Sequence, residues 1–231
     1  MIDSKQITCV VCKSKSSCFE KLDLEELNLT TAHKAQVHYR KGEIINKQGT
    51  FISHILFLKD GYAKLYKETD KTTDIILDII PPGELIGLSA LYGDNISQFS
   101  VSALTDANIC TIDRNLIEDL VKKNGEFAAQ VIKTINHQNQ MFYTKMVSIS
   151  QKQMHGRVAD ALLYLSEHVF KSEKFNLPLS RKELAEFTGM STMSFVRTLK
   201  DMQKSGIVDD KSAEGLHIKN LKKLQSLSQT G

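Results

Sequence analysis

The sequence predicts an α+β chain with three parts in order: a small antiparallel β-roll of jelly-roll type, a long helix, and a helix-turn-helix followed by a wing. Three observations carry that prediction. Between Val37 and Asp113, β-branched and aromatic residues are broken into short runs by turn signals. After Asp113 the apolar spacing changes to a repeat of three and four. Near the carboxy terminus, two short helical stretches carry their own start signals and are joined through a glycine.

In the first part, Gly42, Gly49, Asp60-Gly61, Pro81-Pro82-Gly83 and Tyr92-Gly93-Asp94 mark turns. Between them, Glu43–Ile45, Ile55–Leu58, Ala63–Tyr66 and Asp74–Leu77 have the composition of strands. Strands at spacings of roughly 8–12 residues, with turns between them, build an antiparallel barrel or sandwich. Residues 1–20 are polar, hold three cysteines and show no helical or strand period. The expected division is therefore 1–20, a cysteine-bearing segment; 21–124, the β-roll; 125–152, the long helix; and 153–231, the helix-turn-helix domain.

Asp113 suits a helix N-cap, and 114–150 contains one glycine, Gly125, and no proline. Within it Ile132, Ile135, Asn139, Phe142, Met146 and Ile149 are spaced 3, 4, 3, 4, 3. Those are the a and d positions of a heptad, the seam along which one helix pairs with another. A helix lying on its own β-domain would show the same stripe. Asn139 favours self-pairing, because a polar seam residue fixes register at a cost in stability, and register matters only where two chains align.

Ser180-Arg-Lys-Glu183 has the form of a capping box, in which hydroxyl and carboxylate satisfy each other's orphan amides. Beyond Leu184, Ala185 and Phe187, the stretch Thr188-Gly189-Met190 turns, and Ser191 is placed to cap a second helix that runs to Lys204 near the stop signal Gly206. Phe195, Leu199 and Met202 share one face of that helix; Thr192, Met193, Val196, Arg197, Lys200 and Lys204 share the other. Ile207-Val208, a polar turn from Asp209 to Gly215, and Leu216–Ile218 then read as a hairpin, the wing. A helical hairpin without a partner needs only the apolar face. A basic outer face followed by a wing is the pattern of a DNA binder. Arg197 can donate two hydrogen bonds to a guanine in the major groove, while Lys200 and Lys204, farther from the helix start, suit phosphates. Ser191, Thr192, Met193 and Val196 complete the expected DNA-facing set.

Composition limits the function classes. Hydrophobic residues at 41% and charged residues at 25% argue against a disordered or fibrous chain. No apolar run approaches the roughly 18 residues of a spanning helix, and Met1–Gln6 is not followed by the apolar core of a secretory signal. A cytoplasmic protein with no membrane partner is expected. Residues 151–231 carry 13 Lys and Arg against 9 Asp and Glu, residues 1–150 carry 17 against 18, so the basic excess lies with the helix-turn-helix. No Walker loop, nucleophile elbow or paired-acid motif appears, which points away from an enzyme. The four cysteines are Cys9, Cys12 and Cys18, within ten residues of one another, and Cys110. In a reducing compartment clustered thiols bind metal or do redox chemistry more often than they form disulfides. Taken alone, Cys110 reads as a small buried hydrophobe. The seven histidines show no ligand spacing, and His33 or His38 alone are placed to complete a zinc site with the amino-terminal thiols.

The order of these parts, with Lys41-Gly42-Glu43, Pro82-Gly83-Glu84-Leu85-Ile86-Gly87 and Gln203-Lys204-Ser205-Gly206-Ile207, resembles the CRP/FNR family of bacterial transcription regulators over nearly the whole chain. The resemblance implies a cyclic-nucleotide-binding-like β-roll, a dimerisation helix, and a winged helix-turn-helix that binds double-stranded DNA as a homodimer and works with RNA polymerase. The Cys-x2-Cys-x5-Cys pattern plus Cys110, in Asn108-Ile-Cys110-Thr-Ile-Asp113, resembles the FNR branch, whose members sense oxygen through a [4Fe–4S] cluster. That likeness implies Cys9, Cys12, Cys18 and Cys110 as ligands. A cubane needs one thiolate per iron, and three thiolates on a flexible loop can wrap one side while one on a rigid strand fixes the other. Zinc, which also accepts four thiolates, and a metal-free site are the alternatives. In either case the family pattern leaves room for another small ligand in the roll. An iron–sulfur electron carrier using the helix-turn-helix only for packing would show no salt-dependent duplex binding.

Two departures from the family pattern are informative. The nucleotide-binding branch holds cyclic AMP with a Glu after this glycine and an Arg farther on, whereas here Leu88 follows Gly87 and Ser97–Ser102 contains no cation. A buried phosphate without a cationic partner is poorly compensated, so cyclic AMP binding is not expected. In the reading helix the family's Glu, four residues before the Arg, is replaced by Met193, which cannot accept a hydrogen bond from a cytosine amino group. A two-fold symmetric operator is expected, with half-sites about 34–36 Å apart, the guanine contact of Arg197 kept, and Val196 available to a thymine methyl.

Overall fold

The computed structural model describes residues 8–69, 74–93, 95–212 and 215–231. Residues 1–7 of the cysteine-bearing segment, Asp94 of one turn signal and Ala213-Glu214 of the wing turn lie outside the described residues. By their contacts the residues fall into two units, one of 1–65 with 80–140 and one of 66–79 with 141–231.

The first unit begins with a short 3-10 turn at Phe19–Lys21 and helix α1, Leu24–Ala32, opened by an Asp23/Glu26 capping box. The roll strands are β1, Lys34–Tyr39; β2, Ile44–Asn46; β3, His54–Asp60; β4, Ala63–Lys67; β5, Ile75–Ile80; β6, Leu85–Ile86; β7, Ser100–Ala103; and β8, Ala107–Asp113. They form two four-stranded sheets, β1-β8-β3-β6 and β2-β7-β4-β5, as the turn spacing predicts. Side chains alternate across β3 and β8, as the pleat demands. Leu58, Ala107 and Ile109 enter the core between the sheets, with Val101 and Ala103. Ile55, Phe57, Cys110 and Ile112 face the other way, into a second core with the helices. One strand therefore serves two cores, and this is why its central run is apolar on both parities.

The helical stretch after Asp113 divides into two helices. Asp113 caps α2, Arg114–Lys123, and α3 spans Gly125–Gln151. The break is made by Asn124, whose Oδ1 accepts from the Phe127 backbone N–H at 3.0 Å while its Nδ2 donates to the Lys21 carbonyl at 3.1 Å and to Glu26 at 2.8 Å.

The second unit contains α4, Met154–Tyr164, continued by a π-helical turn at Leu165–Val169; β9, Lys174–Phe175; α5, Arg181–Thr188; α6, Thr192–Lys204; β10, Val208–Ser212; β11, Gly215–Ile218; and α7, Leu221–Thr230. The expected two-stranded wing is three-stranded, in the order β10-β11-β9, because the segment before Pro178 pairs with β11 through Phe175 and Leu216. Helix α7 has no counterpart in the sequence reading. Asn220 caps it, and Leu224 is buried. It packs on α4, and Lys152 Nζ donates to the Ser228 carbonyl at 2.6 Å and pairs with Asp160 at 2.8 Å.

Candidate metal centre and nucleic-acid interface

The strand β8 fixes the position of Cys110. Its register opposite Phe57 of β3 puts the thiol on the helix-facing side of the sheet, 4% exposed. The amino-terminal segment brings the other thiols to the same hydrophobic cluster. Cys9 donates its backbone N–H to Thr31 Oγ1 of α1 at 2.9 Å, and Cys18 lies 3.5 Å from Thr134 Oγ1 of α3. Gln130 of α3 donates to Ser17 at 3.1 Å. Next to Cys18, Phe19 inserts into the core, edge-on to Phe57 at 6.0 Å and stacked on Phe127 of α3 at 6.3 Å. The loop that the sequence suggests to be flexible is thus a strap, tied to α1 at one end and to α3 at the other.

All four cysteines are free; Cys9, Cys18 and Cys110 are buried in one apolar cluster and Cys12 packs against it. Burial pushes the thiols of Cys18 and Cys110 up. For Cys110 the nearby Lys34 and Lys59 oppose that rise while Cys9 and Cys12 add to it, so these three sulfurs share one electrostatic neighbourhood. Cys18 lies at the α3 side. Among the described residues no three His, Cys, Asp or Glu side chains converge on one point closely enough to hold a single ion. Four thiolates are a donor set that a cubane takes with one per iron and that zinc takes in a tetrahedron. His38, the histidine nearest in sequence to the roll's β8 partner strand centre, is engaged with Asn108 at 3.2 Å.

Four of the six residues expected in the seam are exposed on α3. Ile132 is 60% exposed, and Asn139, Phe142 and Met146 are exposed with it. Two members of the seam differ from expectation. Ile135 packs partly against the cysteine-bearing core, and Ile149 approaches the turn at Gly189. Tyr143 and Val147, which the heptad count passes over, are exposed instead.

In the second unit, Ser180 and Glu183 form the expected reciprocal capping box, and Ser191 Oγ accepts from the Ser194 N–H that starts α6. Between the helices Gly189 adopts φ +65°, and a Cβ there would lie 3.2 Å from Ile149. A side chain would be strained twice over, by conformation and by contact. Phe195, Leu199 and Met202 are buried, and Thr192, Arg197, Lys200 and Lys204 are exposed, with Val196 half-buried and Met193 the most exposed, at 83%. These residues line one open groove along α6 together with Asp201, which the sequence reading passes over; its carboxylate lies 3.9 Å from Lys204 Nζ.

Lys145 of α3 marks a site that no sequence pattern announces. Its Nζ donates to the carbonyls of Ile76 at 2.7 Å and Leu77 at 3.0 Å in β5, and lies 3.4 Å above the Phe187 ring of α5. Tyr164 of α4 donates to Asp78 beside it. Burial pushes the ammonium down to about 7, against the pull of Asp78.

A β-roll, a long helix with an exposed apolar face, and a winged helix-turn-helix with a basic outer face define a DNA-binding transcription regulator. Comparison with known proteins agrees. Residues 36–124 match the cyclic nucleotide-binding domain and residues 156–227 the Crp-like helix-turn-helix domain. The chain is 24% identical to the transcriptional activator protein Anr of Pseudomonas aeruginosa over 83% of its length and 79% of that protein's. It is 24% identical to the fumarate and nitrate reduction regulatory protein of Vibrio cholerae, over 97% of this chain and 91% of that one. Its fold is similar to that of FixK2 from Bradyrhizobium japonicum, with a TM-score of 0.78 at 19% identity, covering 86% of this chain and 98% of the other. The chain belongs to the CRP/FNR family of transcription regulators. Among the described residues no helix is long and apolar enough to cross a membrane.

Proposed function

We propose that this DNA-binding regulator responds to oxygen or nitric oxide through a [4Fe–4S] cluster held by Cys9, Cys12, Cys18 and Cys110, and that it acts in the cytoplasm as a homodimer. The observation that carries this reading is the shared apolar seat of all four thiols, whose far wall is the inner face of α3 at Phe127 and Val131. The names of the relatives, among them an "anaerobic regulatory protein" of Haemophilus influenzae, point the same way.

When bound, such a cluster supplies iron whose oxidation state and integrity depend on oxidants. The chain's own residues do the rest. Cys18 and Phe19 tie the strap to α3 at Thr134 and Phe127, so the seat of the strap and the setting of the helix are linked. The face of α3 that carries Ile132, Asn139, Phe142 and Met146 pairs with its copy, and pairing sets two α6 helices at the spacing of successive major grooves on a two-fold symmetric operator. Arg197 reads a guanine, Lys200 and Lys204 contact phosphates, and RNA polymerase is the partner through which the bound dimer acts. By reciprocity, whatever favours the dimer is itself favoured by DNA. Cyclic AMP has no place in this reading: Leu88 is buried where the nucleotide binders have a Glu, and the hydroxyls of Ser97 and Ser100 are taken up by Asn46 and the Gln48 amide.

The test is purification without air, followed by an absorption spectrum, iron and sulfide analysis, and DNA binding before and after exposure to air. The expected result is a coloured protein near four irons per chain, whose operator affinity falls in air. A colourless protein, or one holding a single zinc, with affinity indifferent to oxygen would overturn it and favour a regulator that answers to another small ligand.

A further inference from the structure

We infer that Met193, supported by Thr192 and Val196, reads a thymine C5-methyl group in the major groove, so that the operator carries a T·A pair about two base-pair steps from the one read by Arg197. The inference rests on α6 being the reading helix, and adds what that helix selects.

Met193 is the second residue of α6, in the turn whose residues reach base edges when such a helix enters the groove. It is 83% exposed, more than any other large apolar side chain among the described residues. Its surroundings explain what an apolar side chain there can do. The first turn of α6 holds no acidic residue, although the positive end of a helix favours one. Ser191 is committed as the cap: its hydroxyl accepts from the Ser194 N–H and bonds the Ser194 hydroxyl at 2.9 Å. The groove along the helix is then divided. Its amino-terminal part is lined by the methyl-bearing Thr192, Met193 and Val196, and its carboxy-terminal part by Lys200, Asp201 and Lys204, with Arg197 between them.

Four residues separate Met193 from Arg197, about 6 Å along the helix and hence about two base-pair steps. Val196 and Arg197 lie one turn on, on the same side. In the major groove the thymine methyl is the one apolar feature of a base edge, and apolar side chains are what contact it. A cytosine amino group facing the Met193 thioether would exchange its water for a far weaker acceptor. The selection is therefore both for the methyl and against the amino group.

The experiment starts from full-length protein in its DNA-binding form, used to select duplexes from a random pool. Each thymine of the selected operator is then replaced singly by deoxyuridine, which removes only the methyl group. One position per half-site is expected to lose affinity about four-fold, the worth of one methyl group moved out of water, and Met193→Leu is expected to keep that loss. Met193→Glu is expected to abolish the deoxyuridine effect at that position and to move its preference to C·G. The exposed site keeps both variants folded, and the carboxylate in the first turn of α6 raises thermal stability slightly in Met193→Glu. Sensitivity at no thymine, or the same selected operator and deoxyuridine response in Met193→Glu, would overturn the inference while leaving α6 as the reading helix. Selection of no duplex at all would remove α6 as the reading helix and the inference with it.

Discussion

The cysteine seat and the reading helix are built on opposite principles. The seat is interior and non-local: Cys18 touches Thr134, Cys110 faces Phe57, and Phe19 stacks on Phe127, contacts between segments far apart in the chain. The reading helix is exterior and local: its cap, its buried face and its outer face all arise within Ser191–Lys204. A site of the first kind depends on the whole core around it, and a change there alters stability together with function. A site of the second kind can be altered with little effect on folding.

The comparison can be broken most forcefully at Phe127, which is fully buried between strap and roll. Phe127→Ala is expected to destabilise the chain by about 3–5 kcal/mol and to lower iron retention in parallel, measured by urea unfolding and metal analysis. A stable variant with normal iron would show that the seat does not depend on α3. On the other side, Arg197→Ala is expected to leave unfolding unchanged and to cost about 1–3 kcal/mol on the selected operator, with little loss on random duplex. Equal losses on both would assign Arg197 to phosphate.

A third test concerns Lys145, which stands between these extremes, at the junction of α3, β5 and α5. With its ammonium pushed down to about 7, the unfolded chain holds a proton that the folded chain has released between that pH and the ordinary lysine range. Stability conferred by this group therefore rises with pH above about 7, by at most about 1.4 kcal/mol per unit, and is flat below it. The raised thiols of Cys18 and Cys110 act in the opposite sense at higher pH, so the measurement is the difference in urea midpoint between wild type and Lys145→Met from pH 6 to 9. A difference independent of pH would mean that Lys145 keeps its proton. The smallest effect on the single chain is expected from the exposed Asn139: Asn139→Ile should leave the fold intact and tighten self-association, read by sedimentation. An unchanged equilibrium would place Asn139 outside the pairing face.

Much of this architecture was legible because it is written in short-range chemistry. Turn residues separate the strands, Asp113 and the Ser180/Glu183 box open their helices, and the two faces of α6 follow from spacing alone. The pattern misled where a second contact competed with it. Ile135 and Ile149 fit the heptad yet turn partly onto their own chain. Helix α7 and strand β9 were missed because each is stabilised chiefly by a remote partner, α4 and β11.

By itself, then, the sequence determined the order of the main elements other than β9 and α7, the identity of the four thiols and the chemistry displayed along α6, since each depends on neighbours within a few residues. Only the tertiary structure decided that β8 serves two cores, that the amino-terminal segment is a strap tied to α1 and α3, and that Lys145 lies beneath three elements. Those facts depend on which distant segments share a buried volume, and burial is a property of the assembled chain that no local spacing encodes.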